Sequence, residues 1–302
     1  MLAFIYFHLI QIFHLLVFAQ QKIIREQRKI VSNRERLWSL PVHYHIAEQV
    51  DRKLVEQGLS TWEKVTCVTF IEVTNEQQQL ADFNNKNILY FIANNECYSN
   101  IGYASAESRS ISLSPNCATY GVLLHEIGHA LGLWHEHNRM DRDRYIKIHY
   151  ELIPPERLGD FRIKYWLTDY GVPYDYGSIM HYSTEAFSKN GQSTILPIDT
   201  NYAQTIGQRD QISFYDAALI NRAYCGNRCK KAIFDASNCS NGGYISPIHC
   251  NQCICPTGFT GIKCERLRNN WNCSSSMLYA TKHWKDLIWN GTARCTWIIK
   301  VE

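Results

Sequence analysis

Apolar positions recur at helical spacing in three stretches of the chain. Ile46, Val50, Leu54 and Val55, set among charged neighbours, predict an amphipathic helix over residues 46–57. Leu123, Leu124, Ile127, Ala130 and Leu131 fall at the same spacing and predict a second helix. Ile212, Tyr215, Leu219 and Ala223 predict a third, over residues 208–223. Between the first two, residues 65–73 and 88–92 are rich in β-branched and aromatic side chains and read as strands. Residues 109–114 alternate polar and apolar, a further strand. After Asp143 the periodicity lapses, and Pro154, Pro155, Tyr165, Trp166 and Pro173 predict irregular structure packed by large rings. Strands followed by helices within one unit give an α+β fold class.

The second helix carries the chemistry. His125 and His129 are four residues apart and share one helical face. Gly132 can end the helix in a left-handed conformation that other residues tolerate poorly, which lets His135 swing back toward the first two histidines. Three neutral imidazoles around an open position describe a catalytic zinc site, one Zn2+ per domain. Glu126, next to His125, can reach a water at that position as general base and then general acid. A bare His-Glu-x-x-His is a weak signal; the added Gly132 and His135 make it specific. Downstream, Ser178-Ile179-Met180-His181-Tyr182 supplies the Met-turn that the long zinc motif requires, with Met180 as an apolar floor.

His125 to Asp143, with Glu136, Arg139, Asp141 and Arg142 in its tail, together with the SIMHY pentamer, resembles the astacin family of zinc endopeptidases. The resemblance implies a two-lobed, metzincin-like catalytic domain over residues 29–227, with a mixed sheet, a zinc helix and a cleft between the halves. It gives Tyr182 a role in stabilising the tetrahedral intermediate. It makes Glu136 the partner of the buried amino terminus of the mature enzyme. The pair Leu37-Trp38 resembles one near the mature start of astacins and places that start near Lys29. Four cysteines of this domain allow three pairings from sequence alone; the family pattern implies Cys67–Cys225 and Cys97–Cys117. A sheet edge bordering the cleft would bind protein or peptide substrate in extended conformation, as an added strand.

Composition places these motifs in a compartment. The chain has 302 residues and a formal net charge of +3, and no basic run suggests a nucleic-acid partner. Twelve cysteines, an even number crowded toward the C-terminus, argue for disulfides and an oxidising environment. Residues 1–19 are mostly apolar and end in Val17-Phe18-Ala19, which fits a signal peptide and a secreted, extracellular product with no membrane attachment after its removal. A retained anchor is the alternative; the run is short for a span and carries polar residues in its middle. Residues 20–28 then form a short propeptide ending in Arg25-Glu26-Gln27-Arg28, a minimal site for proprotein convertases. Cleavage there would free the amino group of Lys29. No Phe-x-Gly-Asp segment, which blocks the metal in many astacin propeptides, occurs in residues 20–36.

Residues 228–265 hold six cysteines with the turn chemistry of an EGF-like module, Asn241-Gly242-Gly243-Tyr244 and Cys253 to Gly261. That resemblance implies Cys229–Cys250, Cys239–Cys253 and Cys255–Cys264; a zinc knuckle is the competing reading. In residues 266–302, Cys273 and Cys295 resemble the opening of a CUB domain and would pair as Cys273–Cys295. A CUB domain is a β-sandwich of about 100 residues, so this truncated start could not bury its sheet faces, and poor order is expected after about residue 268. Asn238, Asn272 and Asn290 begin glycosylation sequons. The leading reading is a secreted zinc endopeptidase, with an extracellular-matrix partner held by the tail. A catalytically silent binding protein built on the same scaffold is the second reading, and a non-peptidase zinc hydrolase the third.

Overall fold

The computed structural model describes residues 29–73, 88–103, 109–229, 239–268, 277–280 and 295–300. Residues 1–28, read above as signal peptide and propeptide, Cys273 and the three sequon asparagines, Asn238, Asn272 and Asn290, lie outside the described residues.

The N-terminal half runs β1 (Ile30–Val31), β2 (Val42–Ile46), α1 (Arg52–Val65), β3 (Phe70–Glu72), β4 (Ile88–Ala93), β5 (Tyr98–Ser99), β6 (Ser110–Leu113) and α2 (Tyr120–Ala130). Five of the strands form a mixed sheet in the order β3-β2-β4-β6-β5, with β5 antiparallel to β6 at one edge and the other pairs parallel. The first helix therefore starts at Arg52 and not at residue 46. Ile46 belongs to β2, where Val42, Tyr44 and Ile46 are buried in alternation with the half-buried His43 and His45. Asp51 starts the helix by accepting a hydrogen bond from the Leu54 amide at 3.1 Å. The strand expected over 65–73 shrinks to β3, because Val65 still closes α1 and Cys67 is tied to Cys225.

Helix α2 is buried nearly all round, as a central helix must be. It lies on α1 at Gly58, where a Cβ atom would come within 2.7 Å of Leu123 Cδ2. Trp62 Nε1 donates to the Leu124 carbonyl across the same contact at 3.2 Å.

The second half contains β7 (Ile146–Ile148), β8 (Leu167–Thr168), β9 (Ile195–Pro197) and α3 (Phe214–Cys225), joined by short 3-10 turns. A separate cluster of Ile146, Ile153, Phe161, Tyr174, Ile195 and Ile206 fills this half, with Tyr145 stacked on Tyr174 at 4.5 Å. Helix α3 begins at Phe214 and not at residue 208, because Ser213 and Asp216 close a reciprocal capping box. Strand β1 joins the halves: it pairs with β8, and Val31 N–H donates to the Gly132 carbonyl at 3.1 Å.

Disulfides join Cys67–Cys225, Cys97–Cys117, Cys229–Cys250, Cys239–Cys253 and Cys255–Cys264. Past α3, β10 (Tyr244–Ile245) pairs with β11 (Cys253–Ile254), and β12 (Phe259–Thr260) with β13 (Arg266–Leu267). Farther on, β14 (Met277–Tyr279) and β15 (Ile298–Lys300) form a parallel pair. Tyr244 does not stay in the tail. It is buried with the main core, 5.3 Å from the Phe214 ring, and its hydroxyl accepts from Asn221 Nδ2 at 3.0 Å. Asn221 also accepts from the Cys67 amide at 2.8 Å and donates to the Val65 carbonyl at 3.1 Å, so one amide binds both halves and the tail. Among the described residues no helix is long and apolar enough to cross a membrane.

Two substitutions test this packing by urea denaturation. Gly132 has φ +101°, and a Cβ there would meet Val31 Cγ2 at 3.0 Å. Gly132→Ala should therefore cost about 1–2 kcal/mol. Tyr244→Ala should cost about 3 kcal/mol through a core cavity; an unchanged midpoint would show that the ring is no part of the catalytic core.

Candidate metal centre

Helix α2 presents His125 and His129 one turn apart, and the left-handed Gly132 turns the chain so that His135 faces them. One ring nitrogen from each histidine lies within 4.8 Å of the other two. His129 Nε2 and His135 Nε2 are 3.1 Å apart. The outer nitrogens are fixed by the backbone. His125 Nδ1 donates to the Ile179 carbonyl and His129 Nδ1 to the Leu133 carbonyl, each at 2.8 Å. A carbonyl can only accept, so the proton of each neutral ring sits on Nδ1 and Nε2 keeps its lone pair.

The electrostatics agree. Burial pulls His129 down to about 4, and burial with neighbouring imidazoles pulls His125 and His135 well below the ordinary histidine range. All three rings are neutral near pH 7, the form that binds metal. Lone pairs converging at 3.1 Å repel unless a cation lies among them, so this group could hold a zinc ion.

Glu126 sits beside these rings. It is buried, and its Oε2 has no hydrogen-bond partner among the described residues. Burial pushes its carboxyl up to about 7, while Arg209 and the Ser99 backbone pull it down. Met180 lies fully buried against α2: a Cβ on Gly128 would come within 2.8 Å of its sulfur. The Tyr182 ring is half-buried, 4.4 Å from the His135 ring, and burial raises its phenol so that it stays protonated.

In the uncut chain Glu136 meets the side chain of Lys29, the residue whose freed amino group is expected to reach it after cleavage. The Lys29 backbone nitrogen donates to the Thr168 carbonyl at 2.8 Å. It is the Lys29 side chain, fully buried, whose Nζ lies 2.8 Å from Glu136 Oε2, an ion contact and not an aligned hydrogen bond. Nζ also donates to Asp216 Oδ1 at 2.5 Å and to Ser178 Oγ at 2.9 Å. Burial alone would discharge this amine, but Asp216 and Glu136 outweigh it and hold Lys29 above the ordinary lysine range. The buried Arg139 forks onto Asp141 at 2.9 and 3.0 Å and lies 3.4 Å from Glu136 Oε1, which explains the charged tail of the zinc motif.

Sequence reasoning missed four further groups. His137 is buried behind the site, its ring 4.1 Å from that of Tyr182, and Arg209 acts electrostatically on Glu126 and Tyr182. Asp216 and the Lys29 ammonium complete the set. The Ser213/Asp216 capping pattern could have drawn attention to Asp216; nothing local marks the other three.

Residues 30–225 match the profile of the astacin peptidase family. The zinc metalloproteinase nas-36 of Caenorhabditis elegans is 36% identical over 299 residues, covering 94% of this chain and 47% of that protein. The zinc metalloproteinase nas-34 of the same organism is 39% identical over 282 residues, covering 92% and 45%. This chain thus spans about half the length of the curated relatives it matches. Among solved structures, high choriolytic enzyme 1, a hatching-enzyme zinc protease of the medaka fish Oryzias latipes, superposes with a TM-score of 0.54 at 30% identity. That likeness covers 63% of this chain and 94% of the other. Family profile, relatives and fold agree that this chain belongs to the astacin family of zinc metallopeptidases.

Proposed function

We propose that the protein is a secreted zinc-dependent endopeptidase that hydrolyses protein substrates bound in extended conformation. The observation that carries the reading is the juxtaposition of three neutral, converging imidazoles with a buried carboxyl oxygen of Glu126 that has no other partner among the described residues. Zinc, when bound by His125, His129 and His135, supplies a Lewis acid that acidifies a water and polarises the scissile carbonyl. Glu126 takes the proton of the attacking water and returns it to the leaving amine, a role suited to a carboxyl that titrates near neutrality. The protonated phenol of Tyr182 donates to the oxygen on which negative charge develops. Strand β5, at the edge of the sheet and in hydrogen-bond reach of Glu126 through Ser99, offers an edge for an extended peptide.

In this reading residues 1–19 are the signal peptide and 20–28 the propeptide, and Asn238, Asn272 and Asn290 are glycosylation acceptors. The three-disulfide segment of residues 228–265 is an EGF-like module, supported by its two short hairpins. The CUB-like segment begins after it and pairs Cys273 with Cys295. These tail modules serve an extracellular-matrix partner.

The test is cleavage of an unfolded protein by the secreted chain. Glu126→Gln should retain zinc and lose about 10⁴-fold in turnover, and a chelator should abolish activity that added zinc restores. Tyr182→Phe should lose about 10²-fold. Near-normal turnover in Glu126→Gln would overturn the mechanism, and equal losses in the two variants would give Tyr182 a different role. Bound zinc without any cleavage would move the reading to a binding protein on a peptidase scaffold.

A further inference from the structure

The cage around Lys29 has consequences beyond charge balance. Its three partners each lead to the metal centre in one step. Glu136 follows the ligand His135, and its amide donates to the Met180 carbonyl at 3.1 Å. Ser178 Oγ accepts from the Met180 amide at 2.9 Å and donates to Asp216 Oδ1 at 2.7 Å. Asp216 Oδ2 accepts from the Ile179 amide at 2.9 Å, and the Ile179 carbonyl orients His125. The backbone beside the lysine is engaged too: the Lys29 carbonyl accepts from Trp134 N–H at 2.9 Å, between the carbonyl that orients His129 and the ligand His135. One ammonium therefore ties the third histidine, the Met-turn and α3 together, while its own strand zips along residues 132–134.

The charge involved is carried by a side chain. Glu136 and Asp216 are both fully buried, with Asp175 beside them. Arg139, 3.4 Å from Glu136 Oε1, is shared with Asp141 and with the carbonyls of Val172 and Pro173. Removing the Lys29 charge would strip the buried Asp216 of its ion-pair partner and leave Glu136, next to His135, with the shared Arg139 alone, a costly arrangement. In the uncut chain the backbone N–H of Lys29 is a peptide nitrogen that donates to the Thr168 carbonyl at 2.8 Å, so the charge that reaches Glu136 is the side chain's.

We propose that Lys29 is a positioning residue of the metal centre through its side-chain ammonium, which completes the centre whether or not the chain is cut after Arg28. The proposal rests on the zinc-peptidase reading above, so its test reads the metal as well as cleavage. Three full-length forms are compared: the parent cut after Arg28, an uncut Arg25→Gln/Arg28→Gln form, and a cut Lys29→Met form that keeps a free amino group. Zinc affinity is measured by competition with a chromophoric chelator, and ligand geometry by the visible absorption of the Co2+-loaded protein. Cut and uncut parents should share one cobalt spectrum and bind zinc within about threefold of each other, whereas Lys29→Met should bind zinc about 10–100-fold more weakly with an altered spectrum.

Two results would overturn the proposal: an uncut parent with a weakened, altered site, or a cut Lys29→Met form indistinguishable from the parent. If Lys29→Met fails to fold, the comparison of cut and uncut parents decides alone. A normal cobalt spectrum in both parents without cleavage of an unfolded substrate would support Lys29 in this role and sink the peptidase reading instead.

Discussion

Charge buried beyond the reach of water is the constraint on which the rest of this structure depends. The three imidazoles must be neutral to offer lone pairs, and the dry surroundings of α2 keep them so. The same dryness makes every carboxylate nearby expensive. Glu136 and Asp216, which hold the third histidine and the Met-turn in place, are stable there only because Lys29 and Arg139 stand against them. Asp175 shows what an incompletely matched acid does in this setting: burial, with Asp216 beside it, pushes its carboxyl up to about 6. The chain thus uses one environment for two ends, withholding protons from the histidines and locking charged partners into a single geometry.

The division between what was and was not legible in the sequence follows from range. The zinc helix was readable because its ligands obey the periodicity of one helix and a glycine marks its end. The Met-turn was readable as a pentamer. The strands from Ile88 to Ala93 and from Ser110 to Leu113 were readable from local side-chain type. Errors arose where two local patterns overlapped. Ile46 fits a helical stripe with Val50 but also ends the alternating run Val42-Tyr44-Ile46, and hydrogen bonding to β4 decided for the strand. Ile212 extended the apolar spacing of α3 upstream, but the Ser213 cap overrode it.

Groups that act across long separations left no trace. Lys29 and Asp216 are 187 residues apart, and a single lysine in a basic stretch carries no period or motif. The same holds for Asn221, whose amide reaches Cys67 from 154 residues away. Tyr244 read as part of a turn and proved to be core, because its ring packs on Phe214 of α3, far from it in sequence. The resemblance to astacins identified Glu136 as an anion that needs a cation, but not that the Lys29 side chain reaches it in the uncut chain.

The seam at Tyr244 also bears on how such proteins change by recombination of modules. A module joined by a free linker can be exchanged without regard to its neighbour. Here the tail places a tyrosine into the hydrophobic interior of the catalytic unit, and an asparagine of that unit is shaped to receive its hydroxyl. A replacement module would expose Phe214 and leave the Asn221 amide short of a partner unless it brought an aromatic group to the same point. The catalytic unit and the segment that follows it are in this respect divided in sequence but not in packing.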